Sequence, residues 1–414
     1  MSYVDHLRAA LTESDWILVQ RLAEIAAQMQ MSLYIVGGPV RDCLLRRAVT
    51  DLDLTTEGDA LTLARRAARD LGGAWKKFDR FGTAKLYLPA RDSPIDLATT
   101  RTETYAHPAA LPDVTRGTIE TDLVRRDFTI NAMAIRLDGE QQGALIELHG
   151  GESDLYSGTL RILHERSFED DPTRLFRGVR FEQRFGFAFA YDTERLIAPA
   201  LPVIDQVSGD RIRRELELTF HETQPLKALA RLDELAILRQ IDADLRVDDW
   251  IAEQFQSQAA PFDPFTCWVW LVCRLSESSL TRISQRVNLA RADAVDLLQV
   301  QALRDAAETI GRLNSRSGIY RALVDYHDRA VRAALTVIEQ SAARAALVLY
   351  LNELRAVTPA LDGTRLQELG VPRGPLIGRI LDEVQAAVLD GVIATPLQEE
   401  EYALQIIARE RHRT

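Results

Sequence analysis

A short apolar run leads into two glycines and a helix-like stretch at Tyr34-Ile-Val-Gly37-Gly38-Pro39-Val40-Arg41-Asp42. Two successive glycines let the backbone approach a ligand closely, and the free N–H groups of a following helix can face an anion. The same pattern is also typical of an ordinary tight turn. Its meaning therefore depends on the residues that follow it.

Two aspartates alternate with two leucines a little further along, at Asp51-Leu52-Asp53-Leu54. Because a strand has a period of two, we expect both carboxylates on one face and the leucines in the core. Paired carboxylates repel unless a cation neutralises them, and Mg²⁺ typically binds few protein oxygens together with substrate phosphates. Asp96 lies on another predicted strand in the same alternation and would complete a two-metal site. The alternative for the aspartate pair is a solvated strand face.

The hydrophobic periodicity changes along the chain. Strand-like runs near residues 33–36, 51–55, 85–88 and 95–98 alternate with helical stretches, which predicts an α/β unit over about the first 150 residues. Beyond about residue 165 the apolar spacing is helical throughout. Near the C-terminus, a stripe from Ile377 to Val388 predicts a packed helical module.

The composition limits the class of protein. Of the 414 residues, 46% are apolar, and 61 acids against 50 bases give a net charge of -11. This balance argues against indiscriminate nucleic-acid binding, so RNA contacts must be local and no DNA partner is expected. The longest apolar runs reach seven residues, against the roughly 20 of a membrane-spanning helix, and no signal peptide is evident. With three cysteines and no CxxC pair, we expect a cytoplasmic protein without a membrane partner.

Adjacent basic, acidic and amide groups occur at Arg125-Arg126-Asp127-Phe-Thr-Ile-Asn131-Ala, beside an apolar run. This combination suggests the wall of a binding site. An ordinary helix start with a capping acid is the alternative.

A predicted helix after Asp170-Asp171-Pro-Thr carries arginines on one face. At about 100° per residue they fall within an arc of about 120°, with apolar side chains opposite. The four are Arg174, Arg177, Arg180 and Arg184. A solvated face would explain them, but with little acid interleaved they would repel each other unless they meet an anion.

Asp171 and Arg174 stand i, i+3 and can hold each other in the first helical turn. Cytosine and adenine present an amino donor beside a ring-nitrogen acceptor, whereas uracil and guanine present the opposite pattern. A carboxylate next to a guanidinium is complementary to the first pattern and leaves buried groups unpaired against the second. One such pair would accept CTP and ATP and reject UTP and GTP.

Taken together, these motifs resemble the bacterial class II tRNA nucleotidyltransferases, the CCA-adding enzymes and their poly(A) polymerase relatives. The likeness covers about residues 33 to 220 in family order and includes Asp210-Arg211-Ile-Arg-Arg-Glu215-Leu. Asp170 and Asp210 stand where the family often has glutamate, which is a conservative departure. The Gly370 to Gly378 turn resembles the family's tail module.

The resemblance implies an α+β chain in four parts. An N-terminal α/β nucleotidyltransferase head would span residues 1–150. The other three parts would be entirely helical. They would form a neck at 151–224 that contacts the nucleotide base, a body at 225–357 and a tail at 358–414 that binds tRNA. The partners implied are ATP, CTP and the acceptor stem and elbow of tRNA.

The resemblance also implies roles for the motif residues. Asp51 and Asp53 would bind Mg²⁺, with Asp96 as the third catalytic acid. The remaining motif residues would bind the nucleotide. Its triphosphate would contact Gly37, Gly38 and Arg41, and its base would contact Asp171 and Arg174. The other residues around the incoming nucleotide would be Arg126, Asp127, Arg177 and Arg180. The implied reaction is template-independent addition of CCA to the tRNA 3' end by a two-metal mechanism, with release of pyrophosphate.

Several alternatives share some of these features. Enzymes that add only CC, only the terminal A, or poly(A) share the motifs and differ in a loop, here at about Arg101 to Leu123, whose ordinary length favours full CCA addition. A small-molecule nucleotidyltransferase would lack the arginine helix. A non-catalytic RNA-binding protein would not need the three acids, and the pair His327-Asp328 lacks the partners of a phosphohydrolase.

Overall fold

The computed structural model describes residues 2–78, 82–89, 91–110, 112–258 and 261–411. The chain divides into two compact units, Met1–Ala243 and Asp244–Thr414. The first unit contains the strands and the candidate site. The division into head, neck, body and tail stays a prediction.

Within the described residues, seven strands of the first unit form a mixed sheet in the order β3-β4-β5-β2-β1-β8-β9. The strands are β1 (Leu33–Val36), β2 (Asp53–Thr56), β3 (Ala74–Phe78), β4 (Thr83–Tyr87), β5 (Ile95–Thr99), β6 (Arg101–Thr104), β7 (Asp113–Arg116), β8 (Met133–Arg136), β9 (Leu145–Glu147), β10 (Thr159–Leu160) and β11 (Ala188–Phe189). Only β2 and β5 pair in parallel within this sheet. An antiparallel hairpin joins β6 to β7, and β10 pairs with β11.

Six of the thirteen α-helices described in the first unit directly follow a strand. They are α1 (Tyr3–Ala10), α2 (Glu13–Gln28), α3 (Gly38–Leu44), α4 (Ala60–Asp70), α5 (Ile119–Val124), α6 (Gly151–Ser157), α7 (Ser167–Asp170), α8 (Thr173–Phe185), α9 (Tyr191–Glu194), α10 (Ile197–Ala200), α11 (Gly209–Phe220), α12 (Pro225–Glu234) and α13 (Ile237–Ile241), with 3-10 turns at Thr129–Asn131 and Leu201–Gln206.

Side chains alternate between the two faces of the sheet along β1, an interior strand. Tyr34 and Val36 pack against Leu123 of α5, whereas Leu33 and Ile35 point to the other face, and all four strand residues are buried. A strand buried on both faces reads as a continuous apolar run, as it does here.

The second unit is helical throughout its described residues. Its helices are α14 (Asp249–Ser257), α15 (Pro264–Val272), α16 (Glu277–Arg286), α17 (Arg291–Asp305), α18 (Ala307–Gly311), α19 (Arg316–Leu323), α20 (Asp328–Ala334), α21 (Ser341–Asn352), α22 (Gly363–Glu368), α23 (Pro375–Leu389) and α24 (Pro396–Arg411), with a 3-10 turn at Leu354–Ala356. The C-terminal apolar stripe packs as predicted, because Ile380 and Val384 are buried in a cluster with Leu366 and Ile406.

The predicted α+β organisation, with strands first and helices afterwards, is confirmed. One difference is β11, which lies beyond residue 165, where no strand was predicted. A two-residue strand is too short to give a periodic signal. No helix in the described parts of the chain is both long and apolar enough to cross a bilayer.

Candidate nucleotide and metal site

A cavity of about 500 Å³ opens in the first unit. Its lining residues are Gly37, Gly38, Arg41, Asp53, Arg101, Glu103, Tyr105, Ala110, Pro112, Arg125, Arg126, Asp127, Asn131, Asp171, Thr173, Arg174, Arg177, Phe181 and Arg211. Seven arginines against four carboxylates leave three positive charges, in a chain whose net charge is -11. The cavity is therefore a local anion site of a size suited to a small ligand.

The glycine turn forms one edge of the cavity. Gly37 follows β1 with a φ of +72°, and a Cβ at this position would lie 2.7 Å from Nη1 of Arg126. Only glycine adopts this backbone conformation readily and leaves that space. The turn therefore places the Arg126 guanidinium directly against the backbone at the start of α3.

The acids lie where the sheet meets this turn. Asp53 is the first residue of β2 and stands directly beside Asp96 on β5. In the next strand, Nζ of Lys85 lies 2.9 Å from Oδ1 of Asp96. Burial above all, together with the negative charges of Asp96 and Asp51, raises the pKa of Asp53 to about 6, although the positive charges of Arg126 and Lys85 act to lower it.

Asp51 differs from its prediction, because it is exposed and precedes β2 instead of lying within it. The last residue of β2 that pairs with β1 is Leu54, because β1 ends where the chain turns at Gly37. Residues that precede Leu54, such as Asp51, therefore have no partner on β1. Leu52 between the two aspartates is buried as expected.

The neighbouring carboxylates of Asp53 and Asp96 fit a divalent cation. Among the described residues no group of three or more histidine, cysteine or acidic side chains is close enough to hold a metal alone. The negative charges of Asp96 and Asp51 nevertheless repel that of Asp53, and a bound cation would relieve this repulsion. Mg²⁺ suits such a site, because it usually binds one or two carboxylates and completes its shell with water and phosphate oxygens.

A chain of hydrogen bonds crosses the cavity floor. Nη1 of Arg41 donates to Oδ1 of Asn131 (2.8 Å), and Nδ2 of Asn131 donates to Oδ1 of Asp127 (3.0 Å). Arg177 then donates to Oδ2 of Asp127 from Nε (2.9 Å) and from Nη2. Burial opposes the ionised form of Asp127, but Arg177 and these hydrogen bonds hold its pKa well below its usual range. Arg177 of α8 thus donates to the Asp127 carboxylate directly, whereas Arg41 of α3 is linked to it through Asn131.

A second network links the β6–β7 hairpin to the Arg-Arg-Asp motif. The fully buried carboxylate of Asp122 accepts from Arg125 (2.7 Å) and Arg126 (2.9 Å). Glu103 on β6 accepts from Arg125 (3.1 Å) and from the hydroxyl of Tyr105 (2.8 Å). The hairpin is therefore tied to the same arginines that line the cavity.

Asp171 and Arg174 both line the cavity, but they do not hold each other as predicted. Oδ1 of Asp171 accepts from Nη2 of Arg211 (2.6 Å) and from the backbone N–H of Thr173 (3.0 Å). Arg174 donates instead to the carbonyl oxygens of Ser167 (3.1 Å) and Arg125 (2.7 Å). The carboxylate caps the turn before α8, and this points it towards α11 instead of along α8.

The arginine helix is also neutralised from outside its own sequence. Arg180 is buried and donates to Glu215 of α11 (2.7 Å), and Arg184 pairs with Glu222. Arg180 is not among the lining residues, so the expectation that it contacts the nucleotide finds no geometric support. Its ion pair instead joins α8 to α11. The sequence predicted that these arginines would repel each other unless they meet an anion, and for Arg180 two carboxylates that lie 35 or more residues away in the sequence supply the negative charge.

The structure brings together nine predicted site residues at the cavity: Gly37, Gly38, Arg41, Asp53, Arg126, Asp127, Asp171, Arg174 and Arg177. Ten further lining residues were not predicted from the sequence, among them Arg211, Asn131 and Tyr105. Arg211 and Asn131 lie within motifs already noted. The sequence therefore showed their motifs, but it did not show which side chains they contact in the folded protein.

Comparison with known proteins shows the family to which the chain is similar. The model of the poly A polymerase head domain matches residues 33–161, and that of a probable RNA and SrmB-binding site of polymerase A matches residues 186–244. An A-adding tRNA nucleotidyltransferase of Halalkalibacterium halodurans is 33% identical over 94% of this chain and 92% of its own length. Another, from Geobacter sulfurreducens, is 34% identical over 94% of this chain, which spans about half (47%) of that relative's length.

Solved structures agree. A Thermotoga maritima CCA-adding enzyme in complex with tRNA aligns with a TM-score of 0.71 and 28% identity over 99% of this chain and 98% of its own. CCA-adding enzyme complexes with ATP and with CTP each align with a TM-score of 0.77, at 27% and 28% identity, over 99% and 98% of this chain and 99% of their own. The chain belongs to the class II tRNA nucleotidyltransferase family.

Proposed function

We propose that this chain transfers nucleotides from ATP and CTP to the 3' end of tRNA. The observation that supports this proposal most strongly is the cavity, whose lining has three more positive than negative charges and includes the acid Asp53. A nucleoside triphosphate supplies the matching negative charge, and an acid-held cation is the usual companion of phosphoryl transfer. Relatives named as A-adding tRNA nucleotidyltransferases, and the CCA-adding enzyme in complex with tRNA, support the same class of substrate for this chain.

In the reaction, the tRNA 3'-hydroxyl would lose its proton to water and its oxygen would form a bond to the α-phosphorus, while the bond from that phosphorus to the bridging oxygen would break and pyrophosphate would leave with that oxygen. Asp51 and Asp53 would hold Mg²⁺, with Asp96 directly beside Asp53, and the bound ions would supply the positive charge that a two-metal mechanism requires. Arg41, Arg126 and the Gly37-Gly38 backbone would bind the triphosphate.

Base selection would rest on Asp171 and Arg174. Arg174 has five N–H donors, of which two are directed to backbone carbonyls, so donors remain for a ring nitrogen. Arg211 keeps the Asp171 carboxylate in place as the acceptor for an amino group. The pair would thus present an acceptor beside a donor, the pattern that adenine and cytosine require.

Among the products, we propose that the terminal A is added. Two A-adding relatives share 33% and 34% identity with nearly the whole chain. Full CCA addition, which the ordinary length of the β6–β7 region favours, is the second candidate, and the alignment with the CCA-adding enzyme of Thermotoga maritima supports it.

The test uses tRNA transcripts that end at the unpaired residue before CCA, after the first C, or after CC, each with labelled ATP or CTP and Mg²⁺. An A-adding enzyme labels only the CC transcript with ATP, a CCA-adding enzyme labels all three, and long A tails indicate a poly(A) polymerase. Asp53→Asn is the inactive control. Tight tRNA binding without any transfer would favour a non-catalytic RNA-binding protein.

The same proposal extends to the whole chain. The helices at 151–224, 225–357 and 358–414 would serve as neck, body and tail, and would bind the tRNA acceptor stem and elbow. The protein would work in the cytoplasm.

A further inference from the structure

The lysines of this chain are concentrated in one place. Only four of the 50 basic residues are lysines, and three of these, Lys76, Lys77 and Lys85, lie on the β3–β4 hairpin. The fourth, Lys227, is exposed on α12. Lysine has a compact charge on a flexible stem, which suits contact with a mobile phosphate chain.

The strand register aligns two of these lysines with the acids. Lys76 stands opposite Lys85, Lys85 opposite Asp96, and Asp96 beside Asp53, so all four side chains leave one face of the sheet. At about 4.8 Å between strands, Lys85 and Lys76 lie about 10 and 14 Å from Asp53. The row leads away from the acids towards the sheet edge.

Two exposed aromatic rings lie on the same face. Phe78 is 39% exposed and follows Lys76 by two residues, and Tyr87 is 42% exposed and follows Lys85 by two residues. Nζ of Lys76 lies 5.6 Å from the centre of the Phe78 ring. Cations alternating with exposed rings are typical of surfaces that bind single-stranded nucleic acid, because the phosphates meet the cations and the bases stack on the rings. We call Lys76, Phe78, Lys85 and Tyr87 the lysine face.

The position of this face relative to the cavity suggests its occupant. The glycine turn follows β1, on one side of Asp53, whereas the lysine face lies on β4 and β3, on the other side. A 3'-hydroxyl and a triphosphate must meet at the acids, so the two substrates approach from different sides. We propose that the lysine face binds the unpaired 3'-terminal nucleotides of tRNA; this rests on the proposed function.

A competing explanation exists for lysines on β3, which is an edge strand of the sheet. Charged side chains, lysine above all, block the pairing of exposed edges between molecules. Under that explanation, replacing Lys76 would promote aggregation and leave RNA binding by the monomer unchanged.

The experiment compares Lys76→Ala and Tyr87→Ala with Lys227→Ala, the matched control. Each variant, checked for an unchanged thermal midpoint and for being monodisperse, is titrated with tRNA ending in CC and with the same tRNA trimmed of its unpaired 3' nucleotides. For the CC transcript, Lys76→Ala should reduce the slope of log affinity against log salt by about 0.7, the value for one phosphate contact on a single strand. Tyr87→Ala should weaken binding by about fivefold or more, because a stacked base is lost.

Both effects should vanish with the trimmed tRNA, and the KM for ATP should not change. An unchanged salt slope, an equal effect on trimmed tRNA, or aggregation as the sole defect would overturn the inference. Slower transfer with unchanged tRNA affinity would also overturn it. A wild-type protein that transfers no nucleotide to any tRNA would instead refute the proposed function.

Discussion

Replacing Asp127 with asparagine removes a negative charge from the cavity floor without changing the shape of the side chain. The amide oxygen can still accept from the backbone N–H of Phe128 and from Asn131, as the carboxylate does. The amide nitrogen then faces Arg177, so donors oppose donors where two hydrogen bonds existed. The substitution therefore tests the ion pair and little else.

The expected loss of stability follows from burial. Removing one partner of a buried ion pair costs about 3–5 kcal/mol, because the other charge is left uncompensated. The Asp127 side chain is 7% exposed but that of Arg177 is 38% exposed, so water can solvate the orphaned guanidinium. We therefore expect about 2 kcal/mol, roughly half the buried value.

The pH dependence gives a second signature. The pKa of Asp127 is lowered in the folded state, so its contribution to stability is complete above its ordinary pKa of about 3.9. The contribution decreases as the pH falls below that value, by up to about 1.4 kcal/mol per pH unit. The difference in unfolding free energy between wild type and Asp127→Asn should be constant from pH 7 to 5 and should narrow below about pH 4.

Urea unfolding followed by circular dichroism at several pH values measures both quantities. Asp192→Asn is the matched control, because it removes the same group from an exposed pair with Arg195 and should cost less than about 1 kcal/mol. Equal stability of Asp127→Asn and wild type, or a difference that does not narrow at low pH, would refute the reasoning.

Three further predictions concern the reaction. Asp53→Ala should abolish nucleotide transfer with little loss of fold, because too few oxygens would remain for the cations, and labelled-ATP incorporation with Mg²⁺ checks it. Arg174→Ala should lower kcat/KM for ATP by about 10- to 100-fold, the value of a charged hydrogen bond, and reduce the preference over GTP, whereas a purely structural arginine would leave the preference intact. Gly37→Ala should cost at least about 1–2 kcal/mol of stability at its positive φ and raise the KM for ATP by displacing Arg126, and a normal KM would contradict this placement.

The sequence predicted best those features that depend on local spacing. The alternation around Leu54 located a strand and put Asp53 on the correct face, and the glycine pair located the turn beside it. Both follow from the geometry of a few neighbouring residues. Asp51 was misplaced because the end of a strand depends on its partner strand, which turns away at Gly37.

Long-range ion pairs could not be predicted. The spacing of Asp171 and Arg174 favoured mutual contact, but Arg211, 40 residues away, occupies the carboxylate. The motif resemblance assigned Arg180 to the nucleotide, but its ion pair with Glu215 was not visible in the sequence, because Glu215 is 35 residues away and adjacent only after folding. Side chains with several donors choose their partners by tertiary packing, which a single sequence does not record.

The described lining of the cavity contains arginines and no lysine. Guanidinium groups keep their positive charge at physiological pH, and lysine-directed acylation does not modify them. Acetylation of the chain would therefore leave the charge of the nucleotide cavity intact while neutralising Lys76 and Lys85 on the lysine face. Lysine acetylation would thus weaken the proposed binding of RNA at the lysine face and leave the proposed binding of ATP in the cavity unchanged.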